Sequence, residues 1–67
     1  MDDNQIFHFT NLDDGDDAFA LVRRVPGGVG LTVSLKSNGD TEVFMPTAVA
    51  EDVAAALNAA AEAAPGA

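Results

Sequence analysis

Hydrophobic and polar residues alternate most regularly over residues 29–36. The odd positions are Val or Leu, and the even positions are Gly, Thr, Ser and Lys. Successive side chains of a β-strand point to opposite faces of the sheet. The alternation therefore predicts a strand with one aliphatic face and one small or polar face.

Three other segments are rich in residues that favour strands and are bounded by turn sequences. They predict strands over residues 5–12, 18–25 and 41–45. The predicted turns between the strands are the acidic stretch 13–17, the Pro-Gly-Gly sequence 26–28 and the Ser-Asn-Gly-Asp sequence 37–40.

The last hairpin has two candidate registers. A two-residue loop would place Val33 opposite Phe44, whereas a three-residue loop with Gly39 in the left-handed region places Val33 opposite Val43. We expect the second register, because it keeps the aliphatic faces together. It also pairs Leu31 with Met45 and Lys36 with Asp40, and puts Glu42 and Phe44 on the polar face beside Thr32 and Ser34.

The carboxy-terminal part of the chain predicts a helix over residues 48–64. Val49, Val53 and Leu57 lie at helical spacing in an alanine-rich segment, and alanine is the best helix former. Thr47 is the expected N-cap. Glu51 and Asp52 are expected in or near the first turn, where the helix dipole favours negative charge.

These elements predict an α+β fold in a single domain over residues 1–67: an antiparallel meander of three to four strands with one helix on the aliphatic face. Of the 32 apolar residues that make up 48% of the chain, 13 are alanines, so the core is thin. A compact globule of this length has a radius of gyration of about 11 Å. The stability of a monomer is expected to be marginal, and dimerisation would increase it by covering one more face.

The chain is poorly equipped for catalysis. His8 is its one histidine, and no cysteine or tyrosine is present. A triad of His8 with Ser34 or Ser37 and an aspartate has no support in the spacing. We expect no enzyme activity, no catalytic residue and no cofactor.

The acidic turn resembles a calcium-binding loop only superficially. Counting from Asp13, Gly15 stands where an EF-hand requires an acid or Asn, and Ala18 stands where it requires Gly. A solvated acidic turn is the simpler interpretation, and no metal site is predicted.

The net charge of −8 comes from 11 acidic and 3 basic side chains. The strand and helix order is similar to that of single-stranded-DNA coactivator domains, but those surfaces need a basic groove. We therefore expect neither direct nucleic-acid binding nor binding to anionic membranes. Without an export signal or a membrane-length apolar run, the chain is expected to be cytoplasmic.

The density of acidic residues suggests a partner with a basic surface. Duplex DNA carries about 15 charges over 25 to 30 Å, the expected span of this chain, and the chain carries 11 carboxylates. Such a protein could occupy a nucleic-acid groove, with carboxylates taking the place of phosphates. The candidate partner-binding residues are Asp13, Asp14, Asp16, Asp17, Asp40, Glu42, Glu51 and Asp52.

In size, acidity and lack of catalytic residues the chain resembles the small phage-encoded inhibitors, which include DNA mimics and anti-CRISPR proteins. The resemblance implies a non-enzymatic inhibitor acting in a bacterial cytoplasm. Acidity that merely maintains solubility is the simpler alternative. The second hypothesis is a homodimeric interaction or regulatory domain, in which Phe44, Phe7 and Phe9 cover the second sheet face.

Overall fold

The computed structural model of the protein describes residues 4–65. It contains four strands followed by one helix: β1 (Gln5–Thr10), β2 (Asp17–Val25), β3 (Gly28–Leu35), β4 (Gly39–Pro46) and α1 (Thr47–Ala63). The strands form one antiparallel sheet in the order β1-β2-β3-β4. The predicted α+β meander with a carboxy-terminal helix is confirmed.

Two strand boundaries differ from the prediction by two residues: the end of β1 and the start of β4. β1 ends at Thr10, because the chain bends back at Asn11, whose N–H donates to the carbonyl of Asp16 at 2.9 Å. Leu12, predicted in the strand, is instead fully exposed in the turn. β4 begins two residues earlier than predicted, at Gly39.

Neither predicted register of the last hairpin is correct. Val33 lies opposite Thr41 and Leu31 opposite Val43, so the preferred register is wrong by two residues. The turn covers residues 36–38, and Gly39 adopts the predicted left-handed conformation at φ 81°. Met45 therefore pairs with Val29, and Asp40 pairs with Ser34 rather than Lys36.

A shift of two residues leaves every side chain on its predicted face, because the side-chain period of a strand is two. Glu42 lies on the polar face beside Thr32, as predicted, while Phe44 lies beside Gly30. The aliphatic face is formed by Gln5, Phe7 and Phe9 of β1, Ala18, Ala20, Val22 and Arg24 of β2, Val29, Leu31, Val33 and Leu35 of β3, and Gly39, Thr41, Val43 and Met45 of β4.

The helix packs on the aliphatic face over β3 and β4 and leaves the β1 side uncovered. Val53 and Leu57 lie on the same side of α1 as Ala50 and Ala54. These four residues face Val22, Val29, Leu31 and Met45 across a cavity of about 130 Å³. Small alanine side chains permit the close approach but fill little volume, and no residue of α1 is buried.

The predicted N-cap is wrong. Pro46 occupies the N-cap position without a side-chain hydrogen bond, and Thr47 is the first helical residue. Pro46 has φ −59° and ψ 154°, and proline cannot donate a backbone hydrogen bond. Glu51 and Asp52 lie beyond the first turn, which contains no acidic residue.

The predicted compact globule is also wrong. The radius of gyration is 13.2 Å, against about 11 Å for a compact chain of this length. Within residues 4–65, Ala18 is the one buried hydrophobic residue and Thr32 the one buried polar residue. A single sheet layer with a helix over part of one face has little interior, because most side chains have no second layer to pack against.

Candidate functional site: the acidic end of the sheet

Two of the three turns lie at the same end of the sheet. In an antiparallel meander alternate turns share an end, so the β1–β2 turn at residues 11–16 lies beside the β3–β4 turn at residues 36–38. This end gathers five of the eight predicted partner-binding residues. We call the following set the acidic end: Asp13, Asp14, Asp16, Asp17 and Asp40.

The β1–β2 turn is held by hydrogen bonds within itself. Gly15 adopts φ 74° and donates its N–H to the Asn11 carbonyl at 2.8 Å. One carboxylate oxygen of Asp14 accepts from the Asn11 side-chain amide at 2.9 Å and from the Asp16 N–H at 3.0 Å. The acidic turn is therefore an ordered part of the fold.

Asp16 joins this turn to the β3–β4 turn. Its Oδ2 accepts from the Ser37 hydroxyl at 2.7 Å and from the Ser37 N–H at 3.0 Å. The Lys36 N–H donates to the Asp17 carbonyl at 2.9 Å. The Ser37 hydroxyl is the main cause of a lowered pKa of Asp16, with smaller contributions from the Ser37 N–H and the Lys36 charge.

The other carboxylates of the acidic end differ in their partners. Asp40 accepts a short hydrogen bond from the Ser34 hydroxyl across the hairpin. Within residues 4–65, the carboxylates of Asp13 and Asp17 accept no hydrogen bond, so both keep their full acceptor capacity. The acidic end thus contains carboxylates that stabilise the two turns and carboxylates that remain available to a partner.

Glu42 is not part of the acidic end. It lies near the middle of the polar face, where its Oε2 accepts from the Arg23 Nε at 3.0 Å and from the Thr32 hydroxyl at 3.2 Å. The Arg23 guanidinium is the main cause of the lowered pKa of Glu42. The same guanidinium lies 5.4 Å from the ring centroid of Phe44 and partly covers that ring.

Glu51 and Asp52 are also away from the acidic end. Strand β4 runs from Gly39 at that end to Pro46 at the opposite end, where α1 begins. Both acids are exposed on the second turn of the helix. The eight predicted residues therefore form no single surface, and five of them form a group.

The three phenylalanines predicted for a dimer face do not share a face. Phe7 and Phe9 lie on the aliphatic face opposite Ala20 and Ala18, whereas Phe44 lies on the polar face. The sequence does not specify how β1 pairs with β2, so residue type was the only feature that linked these three rings.

The serine and histidine side chains considered for a triad do not meet. The His8 ring packs against the Phe19 ring at a centroid distance of 5.9 Å, and Phe19 lies between His8 and Ser34 across the sheet. The hydroxyls of Ser34 and Ser37 donate to aspartates of the acidic end. In the described part of the chain, no group of three His, Asp or Glu residues is placed to hold a metal ion.

Comparison of the chain with protein-family models, with curated proteins and with solved structures gives no match. Within residues 4–65, no helix is both long enough and apolar enough to cross a membrane.

Two side-chain hydrogen-bonded contacts between residues far apart in the sequence were not predicted. The Asp16–Ser37 link joins residues 21 positions apart, and the Arg23–Glu42 pair joins residues 19 positions apart. The Arg23 position could have been predicted once β2 was paired with β3, because strand parity then places Arg23 on the face of Glu42. The Asp16 link depends on the shape of two turns and has no such signal.

Proposed function

We propose that this protein is a non-enzymatic inhibitor that binds a basic, nucleic-acid-binding surface of a partner protein through the acidic end. The observation that supports this proposal is the grouping of five carboxylates on or directly beside two turns that the Asp16–Ser37 hydrogen bonds join. Lys36 is the one basic residue of these turns. The group therefore carries a strong local excess of negative charge.

The internal hydrogen bonds of the turn favour binding because they order the backbone that carries the carboxylates before a partner arrives. A preordered group loses less conformational freedom on binding than a flexible acidic tail. Carboxylates form charge-assisted, often bidentate hydrogen bonds with arginine. Opposite charge also accelerates association at low ionic strength.

The proposed mimicry of nucleic acid is local. The longest dimension of the protein is 35 Å, over which duplex DNA carries about 20 charges. The 11 acids of the chain do not reach that density, and some lie on α1. The acidic end would occupy a basic groove over a few phosphate positions and exclude nucleic acid there. Because bacterial nucleic-acid-binding proteins act in the cytoplasm, the proposal includes a cytoplasmic location.

A competition experiment tests the proposal. The immobilised protein is incubated with a nuclease-treated bacterial lysate, and bound proteins are eluted with short duplex DNA or with salt. The double variant Asp13→Asn/Asp17→Asn removes two carboxylates that accept no internal hydrogen bond, so its fold is retained. Glu51→Gln/Asp52→Asn removes the same charge from the helix and is the matched control.

We expect duplex DNA to displace a nucleic-acid-binding protein. The turn variant should bind that protein several-fold more weakly than the helix variant, and added salt should weaken binding. Equal binding by the two variants would contradict the proposal, and so would binding that neither duplex DNA nor added salt weakens. Either result would favour the alternative function, a homodimeric interaction domain without nucleic-acid mimicry.

A further inference from the structure

The aliphatic face has a large uncovered region on the β1 side of the sheet. Phe7 and Phe9 lie on the β1 side of the sheet, away from the helix, and they remain 53% and 51% exposed. Val33 on β3 and Val43 on β4 are also 51% and 48% exposed, so the helix covers these two strands only in part. Contiguous apolar surface of this kind marks an interaction site in small proteins.

The helix itself is only partly packed. Leu57 is 66% exposed and Val49 is also well exposed, although both are large apolar residues on the element that covers the sheet. One molecule therefore presents an open apolar sheet region beside a helix with apolar side chains that lack full cover. In a twofold-symmetric pair the same surface of each copy faces the other, so the sheet region of one copy can lie against the helix of its partner.

The charge pattern favours an apolar partner for this face. The strand residues of the aliphatic face include no Asp or Glu and one basic residue, Arg24, although 11 of the 67 residues of the chain are acidic. Depletion of charge at the centre is typical of stable protein interfaces. Two copies could approach through this face without bringing carboxylates of the sheet together, despite the net charge of −8.

The exposed area is large enough for a dimer. The accessible surface is 5219 Å², whereas a compact monomer of this mass exposes about 4,000 Å². The excess is about 1,200 Å², and a standard interface buries about 800 Å² on each partner. The excess is larger than the area that one standard interface removes from each partner, so the exposed surface is sufficient for a dimer.

We propose that the uncovered part of the aliphatic face binds a second copy of this chain in a twofold-symmetric dimer. In this dimer the rings of Phe7 and Phe9 pack against the partner's Leu57, and the same contacts recur across the symmetry axis. The acidic ends stay outside the interface, because their residues lie on the turns and on the polar face. The dimer goes beyond the proposed inhibitory function and presents two acidic ends.

Sedimentation equilibrium with a matched pair of variants tests the dimer. Phe7→Glu places a charge on the aliphatic face, and Phe44→Glu places the same charge on the polar face, where Phe44 is 60% exposed against 53% for Phe7. We expect the wild type and Phe44→Glu to sediment at twice the monomer mass of 6.8 kDa. Phe7→Glu should raise the dimer dissociation constant about 30-fold or more, as expected at a central aromatic. Circular dichroism verifies that each variant is folded.

Nuclear Overhauser effects between isotope-labelled and unlabelled copies of the wild type test the geometry without a mutation. We expect contacts between the rings of Phe7 and Phe9 of one copy and the methyl groups of Leu57 of the other. A monomeric wild type would overturn the proposal. Equal dimerisation of both variants, or intermolecular contacts confined to the edge of β1 or to Phe44, would overturn it as well. None of these results bears on binding through the acidic end, so the two proposals fail separately.

Discussion

Replacement of Gly28 by alanine should destabilise the protein through a backbone collision. Gly28 begins β3 and lies opposite Pro46. A Cβ atom added to Gly28 would lie 2.1 Å from the Met45 carbonyl oxygen and 3.2 Å from the Pro46 Cα. Both atoms belong to the backbone, so no side-chain rotation can relieve the contact.

The size of the effect follows from that distance. Ordinary contacts of a Cβ begin at 3.4 Å, so one strand must move by more than 1 Å relative to the other. Overpacking of this kind costs about 1–3 kcal/mol, and a stretched ladder hydrogen bond adds about 1 kcal/mol. Lower entropy of the unfolded chain offsets about 0.4–1 kcal/mol. The expected net loss is about 1–4 kcal/mol, or about 4–30 °C in Tm.

Gly30→Ala is the matched control in the same strand. Its added Cβ would meet the side chains of Arg23 and Phe44 at 3.2 to 3.4 Å, and these can move by a few tenths of an ångström. We expect a change in stability below about 1 kcal/mol. Urea denaturation followed by far-ultraviolet circular dichroism measures both variants. Equal stability of the two would refute the collision argument.

Three further predictions concern the hydrogen-bonded carboxylates. Ser37→Ala should raise the pKa of Asp16 toward its ordinary value of 3.8, since the Ser37 hydroxyl is the main cause of the lowered pKa; NMR titration of the carboxyl carbon measures this, and an unchanged pKa would contradict the assignment. The pKa of Glu42 is lowered from 4.5 in the folded protein, so this group stabilises the fold above that pH and the contribution is lost as the pH falls through the lowered value. As the pH is lowered from 5, the free energy of unfolding of Glu42→Gln should therefore decrease less than that of the wild type. Urea denaturation at several pH values measures this difference. The same pH dependence in both proteins would argue against the ion pair of Glu42 with Arg23. Asp16→Ala should accelerate hydrogen exchange at the Ser37 amide several-fold, whereas Asp13→Ala should leave it unchanged; equal rates in the two variants would show that the turns are not joined through Asp16.

The exposed apolar residues explain why the predicted size of the molecule was too small. A radius of gyration calculated from length assumes that the chain packs around a core. Here Phe7 and Phe9 project from the β1 side of a single-layer sheet, and the alanine-rich helix is too small to cover that side. The amount of apolar sequence was apparent, but its distribution over one open face depended on strand pairing.

The acidic residues show the same division between local pattern and tertiary placement. Asp13, Asp14, Asp16 and Asp17 were predicted to share a turn, because they are neighbours in the sequence. Glu42 was placed on the polar face beside Thr32, but its pairing with Arg23 was missed, since the register of β2 had not been derived. Glu51 and Asp52 could not be located relative to the turn without knowing where α1 lies.

The order of the elements, and the face that each residue of β3 and β4 occupies, follow from the amino-acid sequence alone. Both are local properties: a two-residue period and a run of helix formers act over a few neighbours and persist when a strand slips by two positions. Folding fixes the rest: the pairing of β1 with β2, the register of the last hairpin, the Asp16–Ser37 and Arg23–Glu42 contacts, and the extent of uncovered sheet. These depend on atoms about 20 residues apart, whose separation is set by packing and by turn geometry rather than by any local pattern.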